Sequence, residues 1–191
     1  MTTTEPLLRP AYPLETDRLL LRPYVDDDLE DLHDIERRDV TARYLYNRPL
    51  DLDATRSLLD RRRTMTAIDD DHDDLALAAV LKQSGRLIGH VTLLRASREH
   101  RQGEIGYVLH PDHHGHGYAT EAAAVMLRLG FEELDLHRII GRLDARNARS
   151  SRVLERLGMR REAHLRENEF VKGEWVSELV YAILADEWRG R

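Results

Sequence analysis

Positions 110 to 122 read His110-Pro111-Asp112-His113-His114-Gly115-His116-Gly117-Tyr118-Ala119-Thr120-Glu121-Ala122. Two glycines one residue apart bend a backbone sharply. Between a strand and a helix, such a turn lets several N–H groups converge on one anion at the helix N-terminus, where the dipole also favours negative charge. That is the chemistry of a phosphate cradle. A Walker A loop would need Gly-Lys-Ser/Thr, which is absent. A dinucleotide fingerprint would need Gly or Ala where Thr120 stands, inside a parallel βαβ unit. Taken alone, the glycine pair fits an ordinary structural turn as well.

Three further residues carry chemistry. Glu104 lies on a strand that leads into the turn, which makes it the best general-base candidate, or else a surface carboxylate. Asn147 and Ser150 precede an apolar helical run, where either would also serve as an N-cap. His110, His113, His114 and His116 crowd the same turn, but a glycine turn does not build the closed tetrahedral shell of zinc, so no metal is expected. Neutral imidazoles beside an anion account for them.

The elements that must position these groups follow from hydropathy patterns. A first strand is expected over 18–22, and the acids Asp26, Asp27 and Asp28 read as the first turn of a helix in which His33 and Glu36 keep part of the face exposed. A second helix is expected over 53–64, and a solvated acidic loop over 69–74. Strands over 75–82 and 86–94, joined by Gln83-Ser84-Gly85, and another over 104–109 make an antiparallel meander. Ala119, Ala122, Ala123 and Met126 share one stripe of a helix. A strand over 138–143, a helix over 150–157 ended by Gly158, and strands over 161–170 and 175–184 turned at Lys172-Gly173 complete the pattern. Tyr107, Tyr181 and Trp175 suit a core or a homodimer interface.

Composition narrows the function. The chain of 191 residues carries a net charge of −6, which argues against the basic footprint of nucleic-acid binding. Without any cysteine there is no disulfide frame, thiolate site or cysteine nucleophile, and a cytoplasmic protein is expected. No apolar run is long enough for a membrane span. A loose arm over 1–13 and one domain over 14–191 are the expected organisation.

Five ordered segments resemble one family. The glycine turn looks like the coenzyme A pyrophosphate loop of the GCN5-related N-acetyltransferases, or GNATs, particularly the branch of ribosomal-protein-alanine N-acetyltransferases of RimJ/RimL type. Thr16-Asp17-Arg18-Leu19-Leu20-Leu21-Arg22 is similar to that branch's opening strand, Gly103-Glu104-Ile105-Gly106-Tyr107 to the strand feeding the loop, and Leu136-His137-Arg138-Ile139 to the next strand entry. The stretch from Asn147 through Ser150 to Leu157-Gly158-Met159 is similar to its Asn-x-x-Ser helix. Asp112 departs from the Gln or Arg frequent there, His114 and His116 replace frequent aromatic or basic residues, and Met159 an expected Phe.

The resemblance implies an α+β fold, a mixed but mostly antiparallel central sheet of about six to seven strands flanked by helices. It implies acetyl-CoA as co-substrate and a primary amine as acceptor, either a protein or peptide N-terminal α-amine or a small-molecule amine, attacking the thioester directly. Main chain at Val108, Leu109 and His110 would place the pantetheine and carbonyl, and Asn147 would contact the pantetheine. The turn formed by His114, Gly115, His116, Gly117, Tyr118, Ala119 and Thr120 would hold the pyrophosphate. Glu104 would take the amine proton and Ser150 would give one to the departing sulfur. A non-catalytic acyl-CoA sensor of the same fold is the alternative.

Overall fold

The computed structural model describes residues 7–190. Its strands are β1 Leu14–Glu15, β2 Leu19–Arg22, β3 Asp74–Leu81, β4 Leu87–Ser97, β5 Gln102–Leu109, β6 Arg138–Asp144, β7 Arg160–Val171 and β8 Glu174–Leu184. The helices are α1 Leu29–Glu36, α2 Asp39–Ala42, α3 Leu52–Thr64, α4 Tyr118–Arg128, α5 Ala148–Arg156 and α6 Ala185–Arg189. The strands form one 8-stranded sheet in the order β1-β2-β3-β4-β5-β6-β8-β7. This is the α+β arrangement that the resemblance implies, with one strand more: β1 has two residues, too few to show a period, and is held by pairing with β2.

Strand β3 is buried on both faces from Leu75 to Leu81, which explains its continuous apolar run. On one face Leu77, Leu93 and Leu109 pack with Ala122, Ala123 and Met126 of α4, the stripe that the spacing indicates. On the other, Ala78 and Val80 pack with Leu32, Ile35 and Leu59 of α1 and α3. The sheet is therefore covered on both sides, and the site lies where that covering opens.

Three local expectations change. Asp26–Asp28 forms a separate 3-10 turn before α1, because Asp28 is buried in a two-pronged pair with Arg22, at 2.7 Å on each prong. Glu36 does not face water: it is 3% exposed and lies 3.5 Å from Arg62. Part of the expected arm is held against the domain, with Leu8 paired to Ile68 and the Tyr12 hydroxyl donating to Thr66 O at 2.7 Å. Residues 1–6 of that arm lie outside the described residues.

All neighbouring strands run antiparallel except β5 and β6. That parallel ladder has only the rungs Gln102–Arg138, Gly103–Ile139 and Glu104–Ile140, although β5 continues to Leu109 and β6 to Asp144. Beyond Glu104 the two strands diverge, leaving a gap in the middle of the sheet whose edges carry unpaired backbone groups.

Candidate active site

The glycine turn leaves the β5 end of this gap and enters α4. Gly115 and Gly117 have φ of +83° and +84°, a conformation that side chains with a Cβ resist. The first intrahelical bond is Glu121 N to Gly117 O at 3.0 Å, and among the described residues the amides of 115–120 find no acceptor. Thr120 Oγ1 is buried in the first turn of α4 and also lacks a partner. The turn thus gathers unpaired donors at a helix N-terminus, as an anion site requires.

Arg18, just before β2, holds the turn in place. Its Nη1 donates to His116 O at 2.8 Å and its Nε to Glu121 Oε2 at 2.7 Å, while its guanidinium lies 4.6 Å from the Tyr118 ring centre. The Thr16 hydroxyl and Arg18 N donate to Glu121 Oε1 at 2.6 and 2.8 Å. Sequence reading treated the segment around Arg18 only as a strand and left this clamp unseen.

The histidines divide by role. His114 Nε2 donates to Leu109 O at 3.0 Å and its Nδ1 accepts from Arg149 at 3.0 Å, so the ring is held neutral. Burial lowers its pKa, and the Arg149 charge adds to that. His110 is 8% exposed, with Nδ1 accepting from Asp112 N and Nε2 donating to Asp34 at 2.9 Å. It fastens the turn to α1 and its ring has no N–H left for an anion, while its main-chain N–H is taken by β4 and not by the expected pantetheine contact. His116 is exposed and stacks on Tyr118, with centroids 5.7 Å apart. Asp112 is exposed as well, outside the turn.

Backbone alternation sorts the β5 main chain. His110 N donates to Ile88 O of β4 at 2.8 Å, so Val108 also points its main-chain groups toward β4, while Tyr107 and Leu109 point theirs toward the gap. Val108 contributes instead a side chain to the cluster with Leu32 and Leu59, a correction to its expected backbone contact. The Leu109 carbonyl is already taken by His114.

Across the gap, Asn147 caps α5 by accepting from Ser150 N at 3.1 Å. Ser150 Oγ meets the Tyr107 hydroxyl at 2.9 Å, and that hydroxyl also donates to Ser150 O at 3.0 Å. Burial raises the Tyr107 pKa, which keeps the phenol protonated. Tyr107, read from sequence as core or interface, thus supplies the hydroxyl partner of Ser150.

Glu104 points to the opposite face of the sheet from Tyr107, as three residues of offset dictate. There Arg142 Nε donates to both of its oxygens at 3.1 Å. The pair borders an open cleft of about 150 Å³ reaching Tyr46, Lys172 and Glu178. A cavity of about 220 Å³ near Arg95 and Arg98 lies at the far ends of β4 and β5 and is remote from the turn. Among the described residues, no three His, Cys, Asp or Glu side chains are gathered as a metal-ligand set, and no helix is long and apolar enough to cross a membrane.

Known proteins match this chain in sequence and in overall fold. The acetyltransferase (GNAT) domain matches residues 18–160. The chain belongs to the GNAT acetyltransferase family. This GNAT chain is 41% identical over 109 residues to the uncharacterized N-acetyltransferase YnaD of Bacillus subtilis, a match covering 57% of the chain and 64% of that relative. It is 24% identical over 168 residues to the spermidine N(1)-acetyltransferase of Escherichia coli K12, covering 88% and 87%. Among solved structures, a GNAT-family acetyltransferase from Bacillus anthracis superposes with a TM-score of 0.81 at 31% identity, covering 91% of this chain and 99% of that one. The spermidine N-acetyltransferase of Vibrio cholerae, in complex with CoA and spermine, shares the fold with a TM-score of 0.75 at 24% identity, covering 91% and 99%.

Proposed function

We propose that the chain moves the acetyl group of acetyl-CoA onto a primary amine by direct attack on the thioester, without a covalent enzyme intermediate. The observation that carries this reading is the gap between β5 and β6. It joins the phosphate turn and the Tyr107–Ser150 pair on one face of the sheet to the carboxylate cleft on the other. Two substrates entering from opposite faces would meet there in line.

The residues fit the cofactor. An incoming pyrophosphate would take the free amides of 115–120 and the orphaned Thr120 hydroxyl, and pantetheine would lie along the gap-facing backbone of Tyr107 and Leu109 beside Asn147. Ser150, whose hydroxyl is positioned by that of Tyr107, would give a proton to the departing sulfur. Glu104, on the acceptor face, would take the proton from the ammonium through the oxygen lone pairs that Arg142 leaves free.

For the acceptor we favour a protein or peptide N-terminal α-amine, as the RimJ/RimL-like motifs suggest, with small amines as the second class. An α-amine with a pKa near 7.8 is already about one-tenth neutral at pH 7 and asks little of its base. We take residues 14–191 as one catalytic unit acting in the cytoplasm. Free-thiol release from acetyl-CoA across a panel of peptides and small amines, with product masses recorded, tests the reading. Acetylated product supports it. CoA binding without turnover on any amine would replace it with the non-catalytic sensor.

A further inference from the structure

Five carboxylates border the cleft: Glu104, Asp144, Glu169, Glu174 and Glu178. Glu104 is paired with Arg142 at 3.1 Å, while Asp144 and Glu174 share Arg146 at 2.6 and 2.9 Å. Glu169 faces the Tyr46 hydroxyl, whose pKa is pushed up to about 12 by burial first and by that carboxylate second. The nearby Lys172 is committed to main chain, donating to Ala42 O at 2.6 Å.

Glu178 differs from the other four. The residue is 5% exposed, yet its carboxylate takes no side-chain hydrogen bond and no ion pair from any described residue. Burial pushes its carboxyl up, Arg142 pulls it down, and Glu169 and Glu104 push it up again. A carboxylate on a nearly buried residue, with no cation of its own and its oxygens open to the cleft, favours an arriving cation.

Its place in the sheet sets what that cation is. Glu104 stands opposite Ile140 of β6, whereas Glu178 stands opposite Asp144, four residues further along the same strand. At about 3.3 Å per residue this offset is roughly 13 Å of backbone, shortened by the reach of two glutamate side chains toward the shared Arg142. An amine reacting at the gap beside Glu104 would have the rest of its chain pass toward Glu178.

We propose that Glu178 receives a second positive charge on the acceptor, so that the site takes alkyl diamines in preference to monoamines of equal length. This rests on the acetyl-transfer reading above. The matched probes are 1,4-diaminobutane and n-butylamine, with wild type, Glu178→Gln and Glu178→Asp. Wild type should favour the diamine in kcat/KM by about tenfold or more, or about 1.4 kcal/mol. Glu178→Gln should lose that preference through KM while keeping its rate on n-butylamine, and Glu178→Asp should retain part of it.

An unchanged preference in Glu178→Gln, or equal losses on both amines, overturns the proposal; the latter would place the reacting nitrogen at Glu178. Calorimetric binding of 1,4-diaminobutane provides an arm independent of turnover. Binding to wild type and not to the folded Gln variant supports the charge site even if no amine is acetylated. Absent or equal diamine binding overturns it. Absent coenzyme A binding fails the acetyl-transfer reading alone.

Discussion

Arg18 and Glu121, 103 positions apart, form a two-pronged pair that locks the start of β2 onto the first turn of α4, with Arg18 Nε to Glu121 Oε2 at 2.7 Å and Nη2 to the same oxygen at 2.6 Å. The pair does not touch the free amides of the glycine turn. It fixes the helix that carries them.

Glu121 should therefore make the turn acid-sensitive. Burial alone would raise its pKa, but the Thr16 and Arg18 donors outweigh that and hold it below the ordinary value of 4.5. A carboxylate with a lowered folded pKa contributes stability above its unfolded value and loses it as pH falls through the folded one. Glu121→Gln should flatten the fall of melting temperature below about pH 4.5, the unfolded reference value. An unchanged acid limb would show that the clamp contributes nothing to stability.

Gly117 tests the cradle itself. At a φ of +84° a β-branched residue is strained whatever room it finds, and the amide directions must shift. Gly117→Val should weaken coenzyme A binding by about tenfold or more, which is about 1.4 kcal/mol, while circular dichroism shows the fold retained. Equal affinity by calorimetry would remove the turn from the binding site.

His114 should not act as an acid-induced phosphate ligand. Its folded pKa lies below the ordinary value of 6.5, so the neutral ring stabilises the turn above that value and the benefit is lost as pH falls through the lower folded pKa. The pH dependence of coenzyme A affinity between about pH 5.5 and 7.5 should therefore be the same in wild type and His114→Gln. A wild-type affinity that rises in acid and loses that rise in the variant would restore the histidine as a charged partner of the phosphate.

Ser150 and Tyr107 should behave as one unit, since the two hydroxyls meet at 2.9 Å. Ser150→Ala should lower kcat by about 10²-fold and Tyr107→Phe by about tenfold, with coenzyme A affinity little changed. The double variant should lose less than the product of the two. Fully multiplicative losses would mean that the hydroxyls act independently.

Glu104→Gln should reduce kcat by about 10²-fold at pH 7 and by less at pH 9, where solvent supplies more neutral amine. A variant with wild-type rates at pH 7 on its best acceptor would leave Glu104 as no more than the partner of Arg142.

Much of this was legible in the order of residues. Continuous apolar runs marked β3 and β4, the spacing of Ala122, Ala123 and Met126 marked the buried side of α4, and the glycine pair marked the turn. These features depend on period and backbone freedom, which are local properties that neighbouring residues express. The Asn147 cap was legible for the same reason.

What the tertiary structure decided was contact between distant segments. Sequence could not show that Arg18 would reach Glu121, that Tyr107 would meet Ser150, or that Arg142 would pair with Glu104. Each contact depends on strand order and on the face a side chain takes after folding. The same holds for His110, turned to Asp34, and for Val108, whose main chain points into β4. The parting of β5 from β6 after three rungs, which makes room for chemistry, is a property of the assembled sheet: a strand's own residues encode its pleat, but only its neighbours determine where pairing stops.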